Sequence, residues 1–274
     1  SRQTRLGRGL YDGGKLQPGP IQATVAAISE LRDLAKMDDC RDTRIIATSA
    51  VREAANASEL LDALAQSTVV LSGDDEARLA YDGVLSCPRL ANRPTLVVDV
   101  GGGSTEFIVG DADGMRHHAS LPLGSVRLME GHPVSDPPAI DELKTILQSI
   151  DGNLGEPTLE GLRAHLDILC RFPTFIMIGS GGMAGILANM ELGANDYDRE
   201  RMEAVELPLN CVTVWRERLW GMPLDRRREI TGLPSNRADV ALYGSLIYEQ
   251  IMRQLALVVL RVSTRGIRFG FLRS

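Results

Sequence analysis

Three consecutive glycines, Gly101, Gly102 and Gly103, stand between two runs rich in β-branched residues, Thr95-Leu-Val-Val-Asp-Val100 and Thr105-Glu-Phe-Ile-Val109. Runs of this composition read as buried strands, and so short a bend between them makes an antiparallel pair. The turn Asp111-Ala-Asp-Gly114 then predicts a third strand over residues 115–121, completing a meander. Upstream, helical and strand patterns alternate. Ile21, Val25, Ile28, Leu31 and Leu34 mark one face of a helix over Pro18–Met37. Strands follow at residues 43–47 and 68–71, each leading into a helix: one opened by an Asn56/Glu59 capping box, the other over residues 75–85. Downstream, helices are predicted over residues 140–150, 159–170, 211–220, 223–230 and 236–254. A strand over 174–178 runs into Gly179-Ser-Gly-Gly182 and a helix at Met183, and a last strand covers 255–262. The class is α/β. The two prolines between residues 87 and 94 place a domain boundary there, giving lobes 1–90 and 91–274.

Composition excludes several function classes. The 274 residues are 44% hydrophobic and 24% charged, an ordinary globular profile, and no apolar run reaches the roughly 18 residues of a membrane span. The start, Ser1-Arg2-Gln3-Thr4-Arg5, lacks a secretory apolar core, so the expected location is cytoplasmic, with no membrane partner. A net charge of −6 and 4% aromatic residues argue against nucleic acid. Cys40, Cys87, Cys170 and Cys211 have no metal or redox spacing, and His117, His118, His132 and His165 are given no role. Lys15, Lys36 and Lys144 are the only lysines among 30 basic residues, so arginine, the better fork for phosphate oxygens, dominates. Arg226-Arg-Arg228 reads as an exposed helix face.

The segment Asp99-Val-Gly-Gly-Gly-Ser-Thr-Glu106 carries the strongest chemical signal. Successive glycines can turn their N–H groups inward as an anion nest. A Walker loop would need Gly-Lys-Ser/Thr and a dinucleotide loop would lead into a helix, whereas here a strand follows. Asp99 and Glu106 can flank the nest and hold Mg²⁺ over a bound phosphate, or the segment is a tight hairpin with solvated acids. Gly181 and Gly182 open a helix whose first amides can bind an anion, or they serve only the steric needs of the turn. Glu76, in Ser72-Gly-Asp-Asp-Glu-Ala-Arg78, is either a helix-start acid or the group that activates a water. Ser49 and Arg52 follow a strand end, where α/β proteins present ligand-binding side chains.

Five segments together resemble the exopolyphosphatase and guanosine pentaphosphate phosphohydrolase family. They are Thr48-Ser-Ala-Val-Arg-Glu-Ala-Ala-Asn56, Ser72 to Ala77, Asp99 to Glu106, Leu121-Pro-Leu-Gly-Ser-Val-Arg-Leu128 and Arg237-Ala-Asp239. The resemblance runs from Thr4 to Arg268. It implies two ribonuclease-H-like lobes of the actin-like ATPase superfamily around a cleft, with the first lobe lacking its N-terminal hairpin. It also implies Mg²⁺-dependent hydrolysis of terminal phosphoanhydride bonds in inorganic polyphosphate or guanosine pentaphosphate, with a homodimer as a compatible assembly. By this resemblance Glu76 matches the catalytic base and Asp99 and Glu106 match the acids around the metal. Gly101, Gly102, Gly103, Ser104 and the adjoining Thr105 match a phosphate loop, and Gly181 and Gly182 fall on a second. Met183 stands where the family usually has threonine, and Phe269 where it has an acid. Two other functions fit the same scaffold: a kinase-like ATPase, recognised by transfer to an acceptor other than water, and a non-catalytic polyphosphate or alarmone binder, recognised by ligand stabilisation without phosphate release.

Overall fold

The computed structural model describes residues 2–64, 68–90, 93–155 and 159–273. The chain divides into two compact units, Ser1–Glu76 and Ala77–Ser274. This division falls earlier than the boundary expected at residues 90 and 91, and residues 91 and 92 themselves lie outside the described residues. Its cause is the helix Gly73–Leu85. From Ala77 onward its apolar side chains Ala77, Ala80, Tyr81 and Val84 pack with Val97, Ile108, Ile176 and Ile178 of the second unit.

In the first unit, β1 (Ile45–Ala47) and β2 (Thr68–Val70) run parallel, with Ile45 opposite Thr68. The helix Pro18–Met37 forms as expected but uses only the first half of its apolar face. Ile21, Val25 and Ile28 pack with Leu10, Leu16, Val51 and Leu60, whereas Leu31 and Leu34 remain nearly half exposed. The helix Ala57–Ala63 begins after Asn56, but the capping box does not form. The Asn56 side chain instead makes a two-way bridge to the backbone of Leu16, accepting from its N–H at 2.8 Å and donating to its carbonyl at 3.0 Å.

The second unit is built on six strands: β3 (Thr95–Val100), β4 (Thr105–Asp111), β5 (Gly114–Leu121), β6 (Ile176–Ser180), β7 (Glu206–Pro208) and β8 (Val259–Val262). Their order is β5-β4-β3-β6-β8-β7. The expected meander β3-β4-β5 is antiparallel, β6 and β8 continue parallel to β3, and β7 closes the edge antiparallel. A three-stranded meander extended by parallel strands is the ribonuclease-H-like arrangement. Leu96, Val98 and Val100 face one core, covered by helices that include Gly181–Leu192 and Ala238–Gln254, while Val97 faces the helix Gly73–Leu85. Because both faces are covered, the central strands read as unbroken apolar runs rather than alternating ones. Elements not expected from the sequence include the helix Ser125–Gly131 and the short β7. The helix expected over residues 223–230 is only Leu224–Arg227, and Arg227 is buried, donating to the Met222 carbonyl at 2.9 Å. Arg226 and Arg228 are exposed as expected, each paired with an acid three residues away.

Candidate active site

The register of the second unit's sheet arranges one polar row across four strands. Asp99 of β3 lies directly opposite Glu106 of β4, Glu106 opposite Ser120 of β5, and Asp99 beside Ser180 of β6. Directly paired residues project from the same face with Cβ atoms about 4.5–5.5 Å apart, so the two carboxylates are neighbours by backbone geometry alone. Each accepts from serine hydroxyls. Ser180 Oγ donates to Asp99 Oδ2 at 2.9 Å, and Ser120 Oγ and Ser104 Oγ both donate to Glu106 Oε1, the former at 3.2 Å. Glu106 is buried and Asp99 half-buried. Their donor chemistry, hard oxygens on adjacent strands, suits Mg²⁺, which usually takes one or two carboxylates with water and substrate phosphate completing its shell. Among the described residues no group of three or more His, Cys, Asp or Glu side chains forms a metal cluster.

The glycine loop between β3 and β4 differs from the expected nest in one respect. Neither Gly101 nor Gly102 has a left-handed φ, so the loop does not depend on backbone angles barred to other residues. Its carbonyls instead receive the start of the helix Ser125–Gly131. The N–H of Ser125 donates to Gly101 at 2.9 Å, those of Val126 and Arg127 to Gly102 at 2.9 Å, and Arg127 Nε to Gly103 at 2.7 Å. Gly124 makes this approach feasible, because a Cβ there would lie 2.3 Å from the Gly102 carbonyl oxygen. Among the described residues the N–H groups of Gly102, Gly103 and Ser104 donate to no protein acceptor, and Gly102 is exposed. A Cβ on Gly102 would touch only the Val126 side chain, nearest at Cγ2, 3.4 Å away. Thr105 is fully buried and its hydroxyl donates to the Leu123 carbonyl. The Thr105 side chain thus anchors the loop and is out of reach of a phosphate, contrary to the expectation.

At the second loop Gly181 has a φ of 78° and lies so close to Asp99 that a Cβ would fall 2.2 Å from Oδ1. A Cβ on Gly182 would lie 3.0 Å from Arg237 Nη1, which brings a guanidinium to the start of the helix Gly181–Leu192. Arg237 belongs to the segment Arg237-Ala-Asp239 that carries part of the family resemblance. Met183 is buried, its side chain filling the space where a Cβ of Gly244 would stand, 2.5 Å away, so the departure from threonine is a core-packing choice. Phe269 lies between guanidinium groups, 4.7 Å from Arg199 and 5.6 Å from Arg265, an environment that would also suit an acid.

In the first unit Ser49 and Arg52 sit in the helix Ser49–Glu53 directly after β1, and Glu76 lies in the helix that follows β2. Both are at the carboxyl ends of parallel strands, where open α/β sheets bind ligands. Arg52 Nη1 donates to Glu76 Oε2 at 2.9 Å and to the Leu71 carbonyl at 2.8 Å. Ser49 Oγ donates to Glu53 Oε1 at 2.6 Å. Arg52 therefore holds the buried Glu76 carboxylate, a contact the sequence did not disclose. His117, left without a role, stacks on His165 with ring centroids 4.9 Å apart, and burial, then the charges of His165 and His118, push its pKa below the ordinary histidine value.

The sequence profile of the Ppx/GppA phosphatase family matches residues 1–274. The chain belongs to that family. The expectation of a phosphohydrolase is met at the level of the family. Exopolyphosphatase 2 of Mycobacterium tuberculosis is 29% identical over 264 residues, spanning 93% of this chain and 80% of its own length. Guanosine-5'-triphosphate,3'-diphosphate pyrophosphatase of Aliivibrio fischeri is 31% identical over 135 residues, 48% of this chain and 27% of that protein. The crystal structure of the Aquifex aeolicus Ppx/GppA family member superposes with a TM-score of 0.76 at 28% identity, covering 99% of this chain and 86% of that one. An exopolyphosphatase from Cytophaga hutchinsonii gives a TM-score of 0.84 at 23% identity, covering 98% and 85%, which supports the fold. The expected class, the actin-like arrangement of ribonuclease-H-like units, agrees with these structures. Among the described residues no helix is long and apolar enough to cross a membrane.

Proposed function

We propose that this chain is a cytoplasmic, Mg²⁺-dependent phosphohydrolase that removes the terminal phosphate from inorganic polyphosphate, guanosine pentaphosphate or both. The observation that carries the reading is the in-register pair Asp99 and Glu106 beside a loop whose Gly102, Gly103 and Ser104 amides lack protein acceptors. Support for the substrate class comes from relatives named exopolyphosphatase and guanosine-5'-triphosphate,3'-diphosphate pyrophosphatase. Phosphoryl transfer asks a protein for positioning and charge stabilisation more than for a covalent nucleophile, and the residues at hand are of those types.

The loop amides of Gly102, Gly103 and Ser104 donate to non-bridging oxygens of the terminal phosphate, while that of Gly101, expected to join them, donates to the Ser104 carbonyl at 2.9 Å and closes the bend; the Gly181 and Gly182 amides serve a second phosphate. Asp99 and Glu106 would hold Mg²⁺, which when bound neutralises charge on the phosphate oxygens. Glu76 accepts a proton from the attacking water. The new bond joins that water oxygen to the terminal phosphorus as the bridging P–O bond breaks, and the shortened chain leaves as an anion. Arg52 orients Glu76 and, with the loop amides, compensates the polyanion's charge in a protein of net charge −6. Removing a general base typically costs 10²–10⁴-fold in rate. Phosphate release from polyphosphate should therefore fall by about that factor in Glu76→Gln with its melting temperature retained. Wild-type turnover in Glu76→Gln would remove this residue from the mechanism.

A further inference from the structure

Ser180 occupies the N-cap of the helix Gly181–Leu192, with the extended backbone that position requires, φ −111° and ψ 175°, yet its side chain caps nothing. A serine there ordinarily accepts from the N–H of the second or third helical residue, satisfying one of the helix's unpaired amides. Here the hydroxyl turns the other way and donates to Asp99 Oδ2 at 2.9 Å, across a sequence separation of 81 residues. The contact is built in from several sides. The parallel register of β3 and β6 places Asp99 beside Ser180. One residue back, the wholly buried Tyr248 hydroxyl lies 3.2 Å from both the Val98 and the Ser180 carbonyls, pinning the two strands together at that point. Burial, reinforced by the charge of Asp99, holds the Tyr248 phenol far above its ordinary pKa, so it stays a donor. On the other side of the carboxylate Oδ1 rests against Gly181, which has no room for a Cβ.

We infer that Ser180 is a positioning residue: its hydroxyl, diverted from helix capping, fixes the rotamer of the Asp99 carboxylate and thereby sets the affinity of the site for a divalent cation. This rests on the reading of Asp99 as a cation-holding acid. Local preference gives way to a tertiary contact most often where a site demands it, and Ser180 is such a place. A comparison within the same unit separates positioning from packing. Ser245 is equally buried, with no exposed surface, but its hydroxyl donates to the Leu242 carbonyl of its own helix at 2.8 Å.

The test is direct Mn²⁺ binding to the full, substrate-free chain by calorimetry or by loss of the free-ion electron paramagnetic resonance signal, alongside thermal melting and the Mg²⁺ dependence of phosphate release. Loss of an outer-shell partner typically weakens metal affinity 10–100-fold. Ser180→Ala is expected to bind Mn²⁺ about 10-fold more weakly, with activity recovered at raised Mg²⁺, whereas Ser245→Ala keeps wild-type affinity whatever its melting temperature. Ser180→Cys keeps the side-chain volume with a weaker donor, and carries the same expectation should the alanine variant not fold. Wild-type affinity in the folded Ser180 variant, with Asp99→Asn weakened, overturns the positioning role alone. Wild-type affinity in Asp99→Asn overturns the cation reading, and the inference with it.

Discussion

Replacing Gly181 by alanine perturbs the site at one atom, and the size of the effect follows from two features. At φ 78° a residue with a Cβ costs roughly 1–2 kcal/mol. The added carbon would fall 2.2 Å from Asp99 Oδ1, closer than any tolerable contact, so the carboxylate must swing away. Its bond from Ser180 is then strained or lost, and hydrogen bonds to charged groups contribute about 1.5–3 kcal/mol. Together these predict a loss of roughly 2.5–5 kcal/mol, a fall in Tm on the order of 5–20 °C for a unit of this size. Gly182→Ala supplies the control one residue along. Gly182 has no left-handed φ, and its Cβ would meet only the tip of Arg237 at 3.0 Å, which can move aside. Its Tm should stay within about 2 °C of wild type, since a single alanine in a helix's first turn changes stability by less than 1 kcal/mol. Circular dichroism melts of the two variants decide the matter. Equal melting temperatures would refute the reasoning, because they would mean that neither the backbone angle nor the approach of Asp99 constrains the loop.

Gly102→Val should leave Tm nearly unchanged, since the first added carbon meets only Val126, yet abolish protection of the chain by polyphosphate in a thermal-shift assay. Retained protection would remove the loop from the site. Glu249 is buried between Arg216, whose Nε donates at 2.7 Å, and Arg253, at 2.8 Å. Burial opposes its ionisation, but these bonds and that from Thr213 hold its pKa below the ordinary carboxylate value. A depressed pKa gives stability that is present above the unfolded value and lost as pH falls through the folded one. Denaturant titrations should therefore show Glu249→Gln losing about 3 kcal/mol at pH 7, with the gap to wild type narrowing below about pH 4. His117, whose pKa is lowered by burial and then by His165 and His118, follows the same sign at higher pH. Wild-type stability should decline below about pH 6.5, and His117→Gln should flatten that part of the profile, read from Tm against pH.

The meander and its glycine bend were legible because β-branched runs with covered faces have few alternatives, and register then paired Asp99 with Glu106 without further information. Segments whose side chains are claimed from far along the chain were not legible. Asn56 and Glu59 spell a capping box, but Leu16, 40 residues away, takes the Asn56 side chain. Ser180 before two glycines and Met183 reads as an ordinary cap, and only the pairing of β3 with β6 reveals its true partner. The helix Ser125–Gly131 buries few residues of its own and is anchored by carbonyls of the glycine loop, so no periodicity announced it. Gly124 was the available signal, a glycine after Pro122 at a place where two backbones meet. Arg52 and Glu76 lie 24 residues apart, and only the packing of the first unit brings them into an ion pair.

Hydrolysis itself is tested most directly in water enriched in oxygen-18, with polyphosphate or guanosine pentaphosphate, Mg²⁺ and the full chain, by mass analysis of the released phosphate. Attack by a water activated at Glu76 predicts that each released phosphate carries one solvent oxygen and that Glu76→Gln loses the labelled product. Phosphate transferred to another acceptor without label, or binding of either substrate with no release at all, would contradict it.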